Sequence, residues 1–120
     1  MLRIAKRQMG VFQKYAVTQF EDRMATHLNK FFPDICKTLG DGPLREAIQY
    51  GMRRAKFYHI SSERDVCKYI DLMFAYGPDF DKDPALPWAA GILKDDTISD
   101  PTEKIERLYE HALKETQEQT

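Results

Sequence analysis

Between Ser61 and Leu93 the chain reads SSERDVCKYIDLMFAYGPDFDKDPALPWAAGIL, and this stretch limits the fold more than any other. Val66, Tyr69, Ile70, Met73 and Phe74 recur at helical spacing. Ser61 and Ser62 both suit an N-cap, and Ser62 with Asp65 approximates a capping box. Gly77 can adopt the positive φ of a C-cap, and Pro78 stops the helix from continuing. A loop follows with Asp79, Asp81 and Asp83 at alternate positions. Asp83-Pro84 and Leu86-Pro87 predict a stiff, extended path. Phe80 and the single tryptophan, Trp88, are expected to pin that path to the body of the protein. The alternative for both is an aromatic anchor at a partner interface, where Trp is enriched.

Upstream, the spacing predicts one long helix over residues 5–32. Phe12, Ala16, Phe20, Met24 and Leu28 follow every four residues, a line that drifts by about 40° per step. Val17 and Phe31 widen it into a stripe expected to stay on the core. Gly10 weakens the start, so residues 1–9 are expected to be extended or frayed. Pro33 disfavours helix at Phe32 and ends the element. Arg3, Lys6, Arg7 and Lys14 precede the first acid, Glu21, and sit at the wrong end for the helix dipole. They are expected to form a solvated end, with an acidic partner as the alternative.

A short turn of helix is predicted over Asp34–Leu39, closed by Gly40, and a new helix with Pro43 at its first position. Ala47, Gly51 and Ala55 make a row of small residues that permits a close helix crossing. The outer face of this helix is expected to carry Arg45, Arg53, Arg54 and Lys56. Another short turn covers Ala89–Leu93. Asp100-Pro101-Thr102-Glu103 then opens a last helix with Ile105, Leu108, Tyr109, Ala112 and Leu113 on its apolar stripe. That helix is expected to hold to about Lys114, with residues 115–120 frayed. The expected fold is all-α: a single compact helical domain over residues 1–120, with about four main helices and two short ones.

The 120 residues suit one core, and a net charge of -1 supplies no global basic field for nucleic acid. The basic residues of the second long helix lack interleaved aromatics and a compact helix-turn-helix turn, so no nucleic-acid partner is expected. No apolar run reaches the roughly 18 residues of a membrane span, and no secretory signal core is present. The basic start superficially suggests a mitochondrial presequence. It lacks serine, however, and runs into an acidic, apolar helical pattern, so a cytoplasmic location and no membrane partner are expected.

Cys36 and Cys67 show no metal-ligand spacing and read as buried thiols. Cys36 sits near a helix start, where a thiolate gains stability, but has no nearby histidine to act as base. His27, His59 and His111 fall in three separate elements without metal spacing, and no phosphate loop or nucleophile elbow is present. The alternating aspartates begin like an EF-hand, but Pro84 stands where that loop needs glycine and Ala90 where it needs glutamate. They are therefore expected to be solvated loop carboxylates. No enzymatic activity, cofactor or metal is expected.

Several phrases occur together: Val11-Phe12, Gln19-Phe20-Glu21-Asp22-Arg23-Met24, Phe31-Phe32-Pro33, Leu44-Arg45 with Ile48 and Gly51, Met73-Phe74, and Gly77-Pro78-Asp79-Phe80-Asp81 leading to Asp83-Pro84 and Leu86-Pro87-Trp88. The pattern over residues 1–115 resembles small bacterial helical proteins encoded beside type VI secretion effectors, an adaptor-chaperone and spike proteins of the VgrG and PAAR types. The resemblance implies a cytoplasmic co-chaperone or adaptor partner that helps an effector dock on the spike, and it carries no catalytic residues. The alternatives are an immunity protein that neutralises a cognate effector, and a helical nucleic-acid-binding regulator. Charge is uneven: residues 78–100 hold six aspartates and two lysines, and residues 43–64 hold five basic residues and two acids. Arg45, Arg53, Arg54, Phe80, Asp81 and Trp88 are accordingly expected to meet a protein partner, or a second copy of the chain.

Overall fold

The computed structural model describes the backbone of residues 2–118 and the side chains of residues 14–115. The chain is all-α. Among the described residues there are four long helices, α1 (Leu2–Phe31), α3 (Asp41–Phe57), α4 (Glu63–Tyr76) and α6 (Pro101–Glu118). Two short ones join them, α2 (Pro33–Leu39) and α5 (Pro87–Leu93). None is long and apolar enough to cross a membrane. The chain forms two compact units, residues 1–48 and 49–120, with α3 running from one into the other.

In the first unit, α1 is helical from Leu2, so residues 2–9 are not extended; the cost of Gly10, about 1 kcal/mol, does not break the helix. Phe32 leaves helical geometry at φ -132°, as the following proline dictates. Gly40 takes φ 80° and closes α2. The helix α3 starts at Asp41, two residues before Pro43. The first turn tolerates this, because its N–H groups have no intrahelical partner in any case. The expected α1 stripe fails at both ends. Phe20, Met24 and Leu28 are buried with Ala25, but Ala16 is exposed, Val17 is 41% exposed and Phe31 59%. Phe12 lies outside the described side chains.

In the second unit, Ser62 Oγ accepts from the Asp65 N–H at 3.2 Å. The other half of the expected box does not form. Asp65 is buried, and its carboxylate accepts from the Thr102 hydroxyl at 2.6 Å, tying the start of α4 to α6. The crossing of α3 and α4 is close at Gly51: a Cβ there would lie 2.6 Å from Ile70 Cγ1 and 2.8 Å from Met73 Sδ. Asp100 caps α6 by accepting from the Thr102 N–H at 3.0 Å, and Glu103 pairs with Arg107 at 2.8 Å. The helix continues past Lys114 to Glu118, while Leu113 is 57% exposed rather than part of the buried stripe of Ile105 and Leu108.

The 77–86 loop is not extended. Gly77 ends α4 at φ 114°, and the loop then turns repeatedly. Gly77 C=O accepts from Phe80 N–H at 3.2 Å and Asp83 C=O from Leu86 N–H at 2.9 Å. Each of these turns has proline second, at Pro78 and Pro84, where its fixed φ suits a turn as well as it suits an extended run.

Candidate functional site

Tyr50 and Arg54 on α3, and Tyr58 in the turn just past its end, follow one another at four-residue spacing and share one face. That face meets the alternating aspartates of the loop. The Tyr50 hydroxyl donates to Asp79. Arg54 Nη2 donates to Asp81 Oδ2 at 2.5 Å, and the Tyr58 hydroxyl donates to the same oxygen at 2.7 Å. Beneath these contacts, Phe80 is 1% exposed and packs against Tyr69 of α4 with ring centroids 5.1 Å apart. The third aspartate stays local: Asp83 accepts from the Ala85 N–H at 2.9 Å, within the turn that Pro84 sets.

The electrostatics follow from this geometry. Burial pushes the Asp81 carboxyl up, but the hydrogen bonds from Arg54 and Tyr58 outweigh it and hold the acid below its usual range. The hydrogen bond to Asp81 raises the Arg54 guanidinium further above its already high value. Burial, then the hydrogen bond to Asp81, pushes the Tyr58 hydroxyl up to about 12. Each group therefore moves away from neutrality: the carboxylate stays charged, the arginine stays charged and the phenol stays protonated. The thiols behave alike. Burial raises Cys36 despite its place near the start of α2, and burial with the nearby Asp71 pushes Cys67 up to about 11. Both cysteines are free. Chemically, the α3–loop constellation fixes a loop and supplies no group poised for proton transfer near pH 7.

Beside the loop lies an open depression of about 390 Å³, lined by Tyr76, Pro78, Asp79, Phe80, Lys82 and Pro84 among others. Trp88 stands apart from it, at the start of α5. Its ring stacks on His111 with centroids 4.5 Å apart and meets Tyr76 edge-on at 5.4 Å.

The structure thus divides the residues singled out from the sequence. It brings Arg54, Phe80 and Asp81 together, but inside the protein. Asp81 has no exposure, which corrects the expectation of a solvated loop carboxylate, and Arg54 is not on an outer face. Neither Phe80 nor Asp81 offers a surface to a partner in this conformation. Trp88 is partly buried in its own aromatic cluster. Arg45, in the first unit, is drawn to Asp22 at 2.5 Å and Asp41 at 3.5 Å. Only Arg53 remains fully on the surface, its guanidinium 5.9 Å from the Tyr50 ring. Sequence reasoning missed Tyr50 and Tyr58 as ligands of the loop. The signal was present in their register with Arg54, once alternate aspartates are read as partners for one helix face.

Among the described residues, large apolar side chains are exposed mainly in the first unit. Tyr15 (63%), Val17, Phe31, Ile35 (41%) and Leu39 lie on α1 and α2, whereas the second unit exposes Phe57 and Leu113. Comparisons with protein families, curated proteins and solved structures find no match to this chain.

Proposed function

We propose that this protein is a non-enzymatic, protein-binding accessory factor: a cytoplasmic adaptor or co-chaperone partner that helps load a type VI secretion effector onto its spike. The observation that carries the binding reading is the gathering of exposed apolar residues on α1 and α2. Five of the seven large hydrophobic side chains most exposed among the described residues fall between Tyr15 and Leu39. Single exposed hydrophobics are ordinary, but Val17 and Phe31 fall within about 40° of each other round α1 and mark one apolar side of it, from which Tyr15 is turned away. The resemblance in sequence supplies the secretion context.

Charge contributes less to this reading. Arg45 and Arg54 are both occupied by aspartates of the same chain, which leaves Arg53 and Lys56 as the exposed cations of α3. An immunity protein often carries a strongly charged face that matches a toxic active site, and the near-neutral net charge of this chain leans mildly to the adaptor.

The test is co-expression of the tagged chain with the products of the adjacent genes, followed by size exclusion. A stable complex with the adaptor-chaperone or effector is expected. Phe31→Glu with Ile35→Glu should abolish it while the circular dichroism stays helical. A chain that elutes alone from every one of these products overturns the reading. Reversing Arg53 and Lys56 tests the charged contribution without disturbing the buried ion pair.

A further inference from the structure

The helix α3 ends on a residue type that its geometry does not favour. The Ile60 N–H donates to Ala55 C=O and the His59 N–H to Lys56 C=O, both at 2.9 Å, the bond pair of a Schellman motif. The position just past the helix in that motif is left-handed, and glycine usually fills it. Here it is His59, at φ 63°, the one non-glycine residue with positive φ among the described residues. Histidine tolerates this region better than most residues, yet its Cβ is still crowded there. The side chain is exposed and has no hydrogen-bond, ion-pair or ring partner among the described residues, so no such contact within the chain offsets the strain.

Two residues earlier stands Phe57, at 64% the most exposed large hydrophobic side chain among the described residues. Its ring is nevertheless held in place. The Arg54 guanidinium lies 4.7 Å from the ring centre, and the Tyr58 ring meets it edge-on at 5.1 Å. Arg54 is itself fixed by the buried Asp81. Arg53, Lys56 and Phe57 are spaced i, i+3 and i+4, so they share one side of α3. Both cations are exposed, and neither has an ion-pair partner among the described residues. By contrast, Arg45, Arg54 and Arg107 each hold a carboxylate of this chain.

We infer that Arg53, Lys56, Phe57 and His59 form a docking surface for a short acidic segment of a partner protein. An apolar side chain of that segment lies on the Phe57 ring, and its carboxylates meet the flanking cations and the imidazole. Two unneutralised cations beside a pre-positioned ring select an acidic partner with an apolar anchor. A nucleic-acid strand fits less well. Residues 49–120 carry ten Lys and Arg against fourteen Asp and Glu, so the basic area is local and a long polyanion leaving it meets like charge. Such a strand also stacks on successive rings, whereas Tyr50, two turns earlier on this side, is only partly exposed and holds Asp79. The surface belongs to the second unit, and the inference does not rest on the apolar residues of α1 and α2.

The experiment is selection on the full chain from a displayed library of random peptides, followed by anisotropy titration of the consensus peptide beside an oligothymidylate of matching length. Asp and Glu flanking one apolar residue should be enriched in the retained peptides. Phe57→Ala, and separately Arg53→Glu with Lys56→Glu, should each weaken the consensus peptide at least about tenfold, with helical circular dichroism retained. About 0.5 M NaCl should weaken it as well. His59→Gly should raise the thermal midpoint by about 3–5 °C and also weaken the peptide, because strain and side chain are lost together. Phe31→Glu with Ile35→Glu should leave this peptide's affinity unchanged, which separates the surface from the one on α1 and α2. Absence of acidic enrichment, affinity unchanged in any of the first three variants, or tighter binding of the oligothymidylate overturns the proposal.

Discussion

Arg54 and Asp81, 27 residues apart in the chain, form an ion pair in which the carboxylate is wholly buried and the arginine side chain is 20% exposed. Such a pair is costly to break from one side. Arg54→Ala leaves a buried, unpaired carboxylate and should destabilise the second unit by about 3 kcal/mol. Arg54→Met combined with Asp81→Leu removes both charges and should lie within about 1–2 kcal/mol of the parent. Urea unfolding followed by Trp88 fluorescence measures both. Coincident midpoints for Arg54→Ala and the parent would show that the pair contributes nothing.

Acid sensitivity follows from the same carboxylate. Its folded pKa is depressed, so its stabilisation is complete above the ordinary aspartate value of about 4 and is lost as pH falls through the lower folded value. Unfolding free energy should therefore decline below about pH 4, and Asp81→Asn should flatten that limb from a lower starting stability. An identical slope in the two proteins would place the acid response elsewhere.

Gly51→Ala sets helix propensity against packing. Alanine gains about 1 kcal/mol of propensity within α3. The new Cβ would lie 2.6 Å from Ile70 Cγ1, part of a stiff β-branched side chain, and 2.8 Å from the more adaptable Met73 Sδ. Overpacking of this kind costs about 1–3 kcal/mol, so a net loss of stability is expected, read as a lower thermal midpoint. A raised midpoint would mean that α3 and α4 separate easily.

The two cysteines should be poor nucleophiles in the folded protein. Both thiols are raised, Cys67 to about 11, chiefly by burial. A group that favours its neutral form in the folded state stabilises fully below its unfolded pKa, about 8.5 for a thiol, and loses that contribution as pH rises toward the folded value. At pH 8 both thiols should react with an aromatic disulfide reagent at least about tenfold more slowly than in urea. Stability should decline above about pH 9, helped at higher pH by Tyr58, which is pushed up to about 12. Fast labelling of the native protein would contradict the burial of Cys36 and the partial burial of Cys67.

The punctuation of the fold was readable from local chemistry. Pro33 after Phe32, Ser62 before Glu63, Gly77-Pro78 and Asp100-Pro101 each bound a helix where the chain places them. The fate of individual side chains was less so. Ser62 caps α4 as its type and position imply, but the Asp65 carboxylate goes to Thr102 in α6. Val17 and Phe31 are as apolar as the buried Met24 and Leu28, and differ only in whether anything covers them. The three alternating aspartates look equivalent in the sequence, yet Asp79 meets Tyr50, Asp81 is buried on Arg54 and Tyr58, and Asp83 closes its own turn.

The all-α class, the four long and two short helices, and the boundaries at Pro33, Gly40, Ser62, Gly77 and Asp100 were legible in local sequence, whereas the starts of α1, α3 and α5 and the end of α6 lie two to four residues from where the pattern put them. Caps, prolines and the helical period act over a few residues and need no distant partner. Long-range packing settled that Arg54 and Asp81 neutralise each other inside the protein, that Ile70 and Met73 are what Gly51 meets at its close crossing, and that the apolar line of α1 is covered for only part of its length. Burial and ion pairing depend on which segments arrive opposite one another, and residues 27 positions apart carry no local record of that meeting.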